Sequence, residues 1–441
     1  MKRQWVWGWV AMLCLGGHPA AYADNWPAWR GPSGTGISTE KALPIAWEKN
    51  KNIRWRVELP APGNASPIIW GDRVFVAQAV PTENRRTLMC FDRTDGKLLW
   101  QSGVSFTGQE PTHKTNPYCA GTPATDGKLI YVCFGTPGVY AYDFEGNEVW
   151  HRDLGNLTHM FGSAVSPILY DDLCILNFGP TEGTKLIALD KATGKTIWEK
   201  TPPVLDPSET APARAPGGGA GGPGGRRGGR GGGGASWSTP LLVQTHDHDE
   251  LIVTFPGRLA AYDPKTGKEL WTSKGIGTTI YTTPVWGEGV LVASSSGLGE
   301  KNLVAVRPGG SGDVTESHRA WQIQGIGSQM GSGVVHEGHL YSVTQDGIAS
   351  CIEIQNGQEI WQKRLRGAGA QGGCWSSMIL VDGNIYLPNQ SGDVFVFKAS
   401  PTFEILSTNS LEESTNATLA VSSGELFQRT DSALWCVAES K

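Results

Sequence analysis

Ala188-Leu-Asp190-Lys-Ala-Thr-Gly194-Lys-Thr-Ile-Trp198 is one copy of a unit that returns as Ala261-Tyr-Asp263-Pro-Lys-Thr-Gly267-Lys-Glu-Leu-Trp271. A glycine four residues ahead of a tryptophan also occurs at Gly96 and Trp100, Gly146 and Trp150, and Gly357 and Trp361. In four of the five copies an acidic residue stands four positions before the glycine (Asp92, Asp190, Asp263, Glu353), and in the fifth Asp143 stands three before it. Self-similarity at a period of roughly 40 to 50 residues marks a propeller or a solenoid. The glycine suits a hairpin loop that ends in a left-handed residue. The tryptophan then falls in the strand that follows.

A second hairpin precedes each of these. Ser66-Pro67, Thr122-Pro123, Ser166-Pro167, Thr239-Pro240 and Thr283-Pro284 each open an apolar strand, with relatives at Ser332-Gly333, Ser376-Ser377 and Thr418-Leu419. Asp126-Gly127, Glu288-Gly289, Glu337-Gly338 and Asp382-Gly383 read as the tight turns of these hairpins. Two hairpins per unit make a four-stranded antiparallel blade, and all-β blades set around a channel make a β-propeller. Outer strands are predicted at Trp100, Trp150, Trp198, Trp271, Trp321 and Trp361, with a degenerate one at Phe403. Ile53-Arg-Trp55-Arg-Val57 has the same outer pattern with no inner strands before it, and Leu434-Trp435-Cys436-Val437 ends the chain with no outer strand after it. The amino-terminal strand is therefore expected to complete the last blade and close a ring of eight, which removes exposed sheet edges. The seven tryptophans read as structural wedges that dock each blade on its neighbour, because an indole brings a large apolar surface to such a contact.

Composition bounds the rest. Lys2 and Arg3, an apolar stretch from Trp5 to Gly16 and Ala21-Tyr22-Ala23 read as a signal peptide over residues 1–23. An amino-terminal arm is expected over 24–50 and the propeller over 51–441, interrupted at 204–235 by a Gly-, Arg- and Pro-rich insertion too poor in apolar residues to fold. No later segment reaches the roughly 18 to 20 apolar residues of a transmembrane span. The expectation is an exported monomer, periplasmic or secreted, with an association at the outer membrane. Lys plus Arg number 37 and the net charge is −5, so no basic excess points to nucleic acid. Cys90, Cys351 and Cys436 stand where other repeats carry Ala188 and Ala261, and read as small buried hydrophobes rather than a disulfide framework.

The repeated unit resembles the tryptophan-docking repeat of the pyrroloquinoline quinone (PQQ) propeller superfamily over roughly residues 51 to 437. Asn25-Trp-Pro-Ala-Trp29-Arg30-Gly-Pro32 and His113-Lys-Thr-Asn116-Pro-Tyr-Cys119 are similar to exported bacterial PQQ-binding-like propeller proteins. That superfamily includes quinoprotein alcohol dehydrogenases and the outer-membrane assembly protein BamB, and fold alone does not choose between them. A dehydrogenase of this kind implies calcium on the quinone, carboxylate ligands and an aspartate base. No Asp or Glu lies among the residues that enter the eight innermost strands, and no adjacent cysteine pair is present there. A carboxylate would have to arrive on a loop such as Gln109-Glu110.

No cofactor is therefore expected; PQQ with calcium is the alternative, and the rim residues do not support it. Asn64, His113, Asn116, Tyr118, His159, Trp237, Tyr281, Gln329, Trp375 and Asn416 fall on that rim and form a candidate recognition surface of amide and aromatic faces. His113 and His159 have no spaced third ligand, so no metal site is expected. The reading is a non-catalytic scaffold for envelope proteins or polysaccharides. Its alternative is a PQQ-dependent dehydrogenase acting on alcohols or sugars.

Overall fold

The structure, a computed structural model, describes residues 25–180, 184–202, 234–296, 301–370 and 372–439. The signal peptide expected over 1–23 and nearly all of the insertion expected over 204–235 lie outside these residues. Its predicted end is corrected: Ala235–Ser236 is already a short strand, paired in parallel with Thr279–Ile280.

Eight antiparallel four-stranded sheets follow one another along the described chain, which contains no α-helix. The protein is an eight-bladed β-propeller. In the third blade the order from the axis outward is Ile168–Tyr170, Leu173–Phe178, Lys185–Asp190 and Thr196–Lys200. Leu173–Phe178 is buried along its whole length because both of its faces meet other blades, whereas in Thr196–Lys200 only Trp198 is buried. Periodicity thus changes with radius, from continuous apolar runs inside to alternation at the perimeter. Glu288-Gly289, Glu337-Gly338 and Asp382-Gly383 have positive φ at both residues, as two-residue hairpins require.

Ile53–Glu58 pairs antiparallel with Ala433–Val437, so the last blade is built from both ends of the propeller. Trp55 stands opposite Cys436 there, as Trp100 stands opposite Cys90, Trp198 opposite Ala188 and Trp361 opposite Cys351. The small residue is the consequence of the indole beside it. All seven cysteines among the described residues are buried and unpaired.

The indoles of Trp55, Trp100, Trp150, Trp198 and Trp321 lie on the glycine of the next blade, whereas Trp361 meets Phe403 edge-on at 5.0 Å and donates to Ser400 O at 3.0 Å. A Cβ added at Gly146, Gly194, Gly267 or Gly357 would sit 2.6 to 2.8 Å from the ring of Trp100, Trp150, Trp198 or Trp321 respectively. The indole N–H groups donate to carbonyls of the same turns, at Phe144, Lys191, Pro264 and Ile354, over 2.7 to 3.0 Å. Glycine is needed twice at these positions, for its positive φ and for the space its missing side chain leaves.

Two members depart from the ladder. Trp271 is fully buried but donates within its own blade, to Glu250 Oε2 at 2.9 Å. The following blade has no Gly-x-x-x-Trp turn to receive it; instead Gly312–Asp313 pairs in parallel alongside Trp271 and Thr272. The expectation of an outer strand at Phe403 is also corrected. The outer strand of the seventh blade is Ile405–Ser410, and Ser407, opposite Val396, holds the tryptophan position. Trp47 of the amino-terminal arm enters the apolar cluster between the seventh and eighth blades with Val396, Leu411 and Leu419.

Candidate functional site in the axial channel

The arm determines what kind of channel this is. Trp26 exchanges two backbone hydrogen bonds with Ile69 at 2.9 Å, and Thr125 donates to Pro27 O at 2.9 Å, which ties the arm to the first two blades at their turn ends. The fully buried Arg30 donates to Gly333 O of the sixth blade and to Thr35 O at 2.6 Å. Burial lowers its pKa to about 9. Ile37 and Ser38 then pair with Leu380 and Val381 of the seventh blade, and the Glu40 carboxylate accepts from the Ser423 and Gly424 amides of the eighth at 2.6 Å. This path crosses the axis, and Trp29 becomes part of the cavity lining. The channel is therefore closed at the turn end by the arm and open at the opposite rim.

The wall above Trp29 is a belt of hydroxyls. Ser66 N donates to Thr122 Oγ1, Thr122 N to Ser166 Oγ, Thr283 N to Ser332 Oγ, Ser332 N to Ser377 Oγ and Ser377 N to Thr418 Oγ1, over 2.9 to 3.0 Å. Thr418 N closes the belt on Ser66 Oγ at 3.0 Å, across the seam between the last and first blades. At the fourth blade the bond reverses, with Thr283 Oγ1 donating to Thr239 O. In six of the eight units the opening Ser/Thr thus satisfies a buried amide of its neighbour, which an apolar residue would leave unpaired at a cost of about 1–3 kcal/mol.

The enclosed space is about 750 Å³, within the range of small-ligand sites. Asn64, Asn116, Trp237, Tyr281, Trp375 and Asn416 of the predicted rim line it. Asn64 Nδ2 donates to Thr115 O at 2.9 Å and Asn116 Nδ2 to Phe161 O at 2.7 Å, so both amides are held rigidly. The Trp237 and Tyr281 rings stack at 5.3 Å, and Trp237 Nε1 donates to Gly162 O at 3.0 Å. His159 meets the Trp237 ring edge-on at 4.9 Å and His113 meets Phe161 at 5.0 Å. An aromatic arc therefore runs around the mouth from the second blade to the fifth, and burial lowers the His159 pKa while raising that of Tyr281. Met160 at its outer edge is 64 % exposed.

The other rim candidates sit elsewhere. Tyr118 turns away from the axis, donating to Glu110 O at 2.8 Å beneath the Arg86 guanidinium, which lies 3.6 Å from its ring. Gln329 is buried, its backbone N–H bonded to Ser296 Oγ. The loop carboxylate Glu110 is buried behind the wall, accepting from Thr136 N at 2.9 Å, and burial raises its pKa. Sequence reasoning missed Trp29 and Lys301 as lining residues. Trp29 was visible only as part of a conspicuous motif, and Lys301 carries no local signal at all.

Among the described lining residues Lys301 alone is formally charged, and none is Asp or Glu. Nor does any group of three His, Cys, Asp or Glu side chains among the described residues converge to hold a metal ion. Glu300, next to Lys301 in sequence, lies outside the described residues. Calcium sites combine carboxylates with carbonyl and water oxygens, and this described lining offers neutral amide and hydroxyl oxygens beside an ammonium but no carboxylate. The described residues do not fit a calcium-bound quinone.

Comparison with known proteins agrees with this architecture. The chain is 24% identical over 163 residues to the outer membrane protein assembly factor BamB of Marinobacter adhaerens, covering 37% of each chain. It is 22% identical over 392 residues to the polyvinylalcohol dehydrogenase of a Sphingopyxis strain, covering 82% of this chain and 54% of that one. These matches span about a third to a half of the length of the curated relatives. Among solved structures, a quinohemoprotein alcohol dehydrogenase from Pseudomonas putida HK5 superposes with a TM-score of 0.60 at 12% identity, over 95% of this chain and 81% of that one. A family model described as outer membrane protein assembly factor BamB matches residues 15–101, 48–211 and 229–363. With most of its length so matched, including the repeats of the first six blades, the chain belongs to this BamB-like family of PQQ-type propellers.

Proposed function

We propose that this chain is an exported, non-catalytic propeller that serves the cell envelope as a binding platform, with the mouth of the axial cavity as its recognition face. The observation that carries this reading is the character of the lining. A site for quinone and calcium needs carboxylates close to the reacting carbon, and the described wall has none. What it has instead is an arc of aromatic faces, rigid amides and hydroxyls, the materials of recognition without chemistry. The relation to BamB supports the same reading, since that relative is an outer membrane protein assembly factor. Envelope proteins or polysaccharides are the proposed partners, and the chain is proposed to act as a monomer at the periplasmic or outer-membrane surface. No helix among the described residues is long and apolar enough to cross a membrane.

A quinoprotein dehydrogenase is the second reading. It is favoured by the similarity to polyvinylalcohol dehydrogenase, which extends over 82% of this chain. Dye-linked oxidation of alcohols and sugars, measured on purified protein with added PQQ and calcium, separates the two. The platform reading expects no dye reduction above the protein-free rate. Calcium-dependent turnover would replace it with the enzyme.

A further inference from the structure

The belt does more than hold blades together. Each of its hydroxyls at Ser66, Thr122, Ser166, Ser377 and Thr418 accepts an amide N–H from the neighbouring blade. An oxygen that accepts in this way keeps its own hydrogen to donate, and all five line the cavity. Lys301 adds three further donors and the only formal charge in the described lining. The described wall is thus rich in donors and holds no carboxylate, which selects a ligand rich in acceptors and carrying negative charge.

The belt amides, which stand just before the innermost strands, are already bonded to hydroxyls and do not serve an extended peptide, which would need unpaired backbone N–H groups. Flat aromatic faces at Trp237, Tyr281 and Trp375, together with amides and hydroxyls, suit instead a pyranose ring with its alternation of C–H faces and polar edges. Because the arm closes the far end, the cavity takes the end of a chain or a short oligomer and cannot pass a long one through.

We propose that the axial cavity binds an acidic oligosaccharide, with a uronate carboxylate paired to Lys301 and a sugar face on the Trp237–Tyr281 stack. The proposal rests on the cavity being a recognition site and names the class of ligand it recognises. The purified full chain is titrated calorimetrically with a galacturonic acid trimer, a neutral galactose trimer and a glutamate tripeptide. The acidic trimer is expected to bind saturably, and the neutral one about tenfold more weakly. Lys301→Gln should weaken the acidic trimer about tenfold to a hundredfold and remove its advantage over the neutral one, while Lys301→Arg keeps that advantage. Trp237→Leu should weaken both sugars together, which a purely electrostatic site would not show.

A silent titration, an acid preference that survives Lys301→Gln, or equal binding of the glutamate peptide would overturn the proposal. PQQ is titrated alongside. Saturable quinone binding with calcium-dependent dye reduction overturns the platform reading on which the proposal stands, whereas silence from both quinone and uronide removes only the saccharide.

Discussion

The indole of Trp55 lies on Gly96, close enough that a Cβ there would sit 2.7 Å from the ring, and its N–H donates to Arg93 O at 2.7 Å. Trp55 belongs to the amino-terminal strand of the last blade and Gly96 to the outer turn of the first, so this pair carries the closure of the ring. Gly96→Ala should therefore destabilise the protein more than Gly289→Ala, although φ is +75° at one and +79° at the other. A Cβ at Gly289 meets nothing within 4 Å. Both substitutions incur the left-handed strain of about 1–2 kcal/mol, and Gly96→Ala adds about 1–3 kcal/mol of overpacking. Urea midpoints at matched m-values measure the difference.

Trp55→Ala is expected to cost about 3–5 kcal/mol, as for other buried aromatic truncations. The loss should be local in hydrogen exchange. Amides of Ile53–Glu58 and Ala433–Val437 would lose protection while those of Leu173–Phe178 in the third blade keep theirs, since repeat units are stabilised mainly by nearest neighbours. Uniform loss across the ring would contradict the closure role.

Thr418→Val tests the hydroxyl belt with little change of volume. It removes the acceptor of the Ser377 amide, now bonded at 3.0 Å in a buried setting, and should cost about 1–3 kcal/mol for the orphaned donor. Thermal unfolding of the variant, with Ser423→Ala at an exposed turn as the comparison, reads this directly.

Stability should fall in acid partly through Glu413. Burial opposes its charge, but hydrogen bonds from Thr430, Ser432, Trp435 and Arg56 prevail and hold the carboxyl below its ordinary value. The lowered folded value means that the charged form supplies stability above the unfolded pKa, and that this is lost as the pH drops through the folded one. Glu413→Gln is expected to be less stable than the parent by about 1.5–3 kcal/mol at pH 7 and to converge with it as the pH falls through the lowered folded pKa. A constant gap from pH 7 to pH 3 would exclude this carboxylate as the source.

The repeat was legible because its cause is local: the glycine, the hairpin and the indole are within a few residues of one another, and the same physics applies in every copy. Ring closure was legible because an outer strand without a blade and a blade without an outer strand are complementary. The arm was not. Trp26 pairs with Ile69 and Ile37 with Leu380, contacts set by the shape of the finished propeller rather than by any period in residues 25–40. Trp271 and Phe403 show the limit from the other side: Trp271 matches the pattern but donates to Glu250 in its own blade, and Phe403 lies ahead of the outer strand, 5.0 Å from the Trp361 ring, while Ser407 holds the tryptophan position. Of the ten rim residues expected from the sequence, Asn64, Asn116, Trp237, Tyr281, Trp375 and Asn416 line the cavity, and the others are placed by contacts that no local pattern announces. Tyr118 obeys the buried Arg86, and Gln329 follows Ser296, neither of which is near it in sequence.

Titration of the purified chain with PQQ, with and without calcium and followed by heat and by the quinone absorbance, tests the central claim most directly. The same titration on Glu300→Gln covers the carboxylate that adjoins Lys301 in sequence. The binding-platform account predicts no saturable heat, no spectral shift and no effect of calcium in either protein. A calcium-dependent quinone complex that is weakened by Glu300→Gln would contradict it.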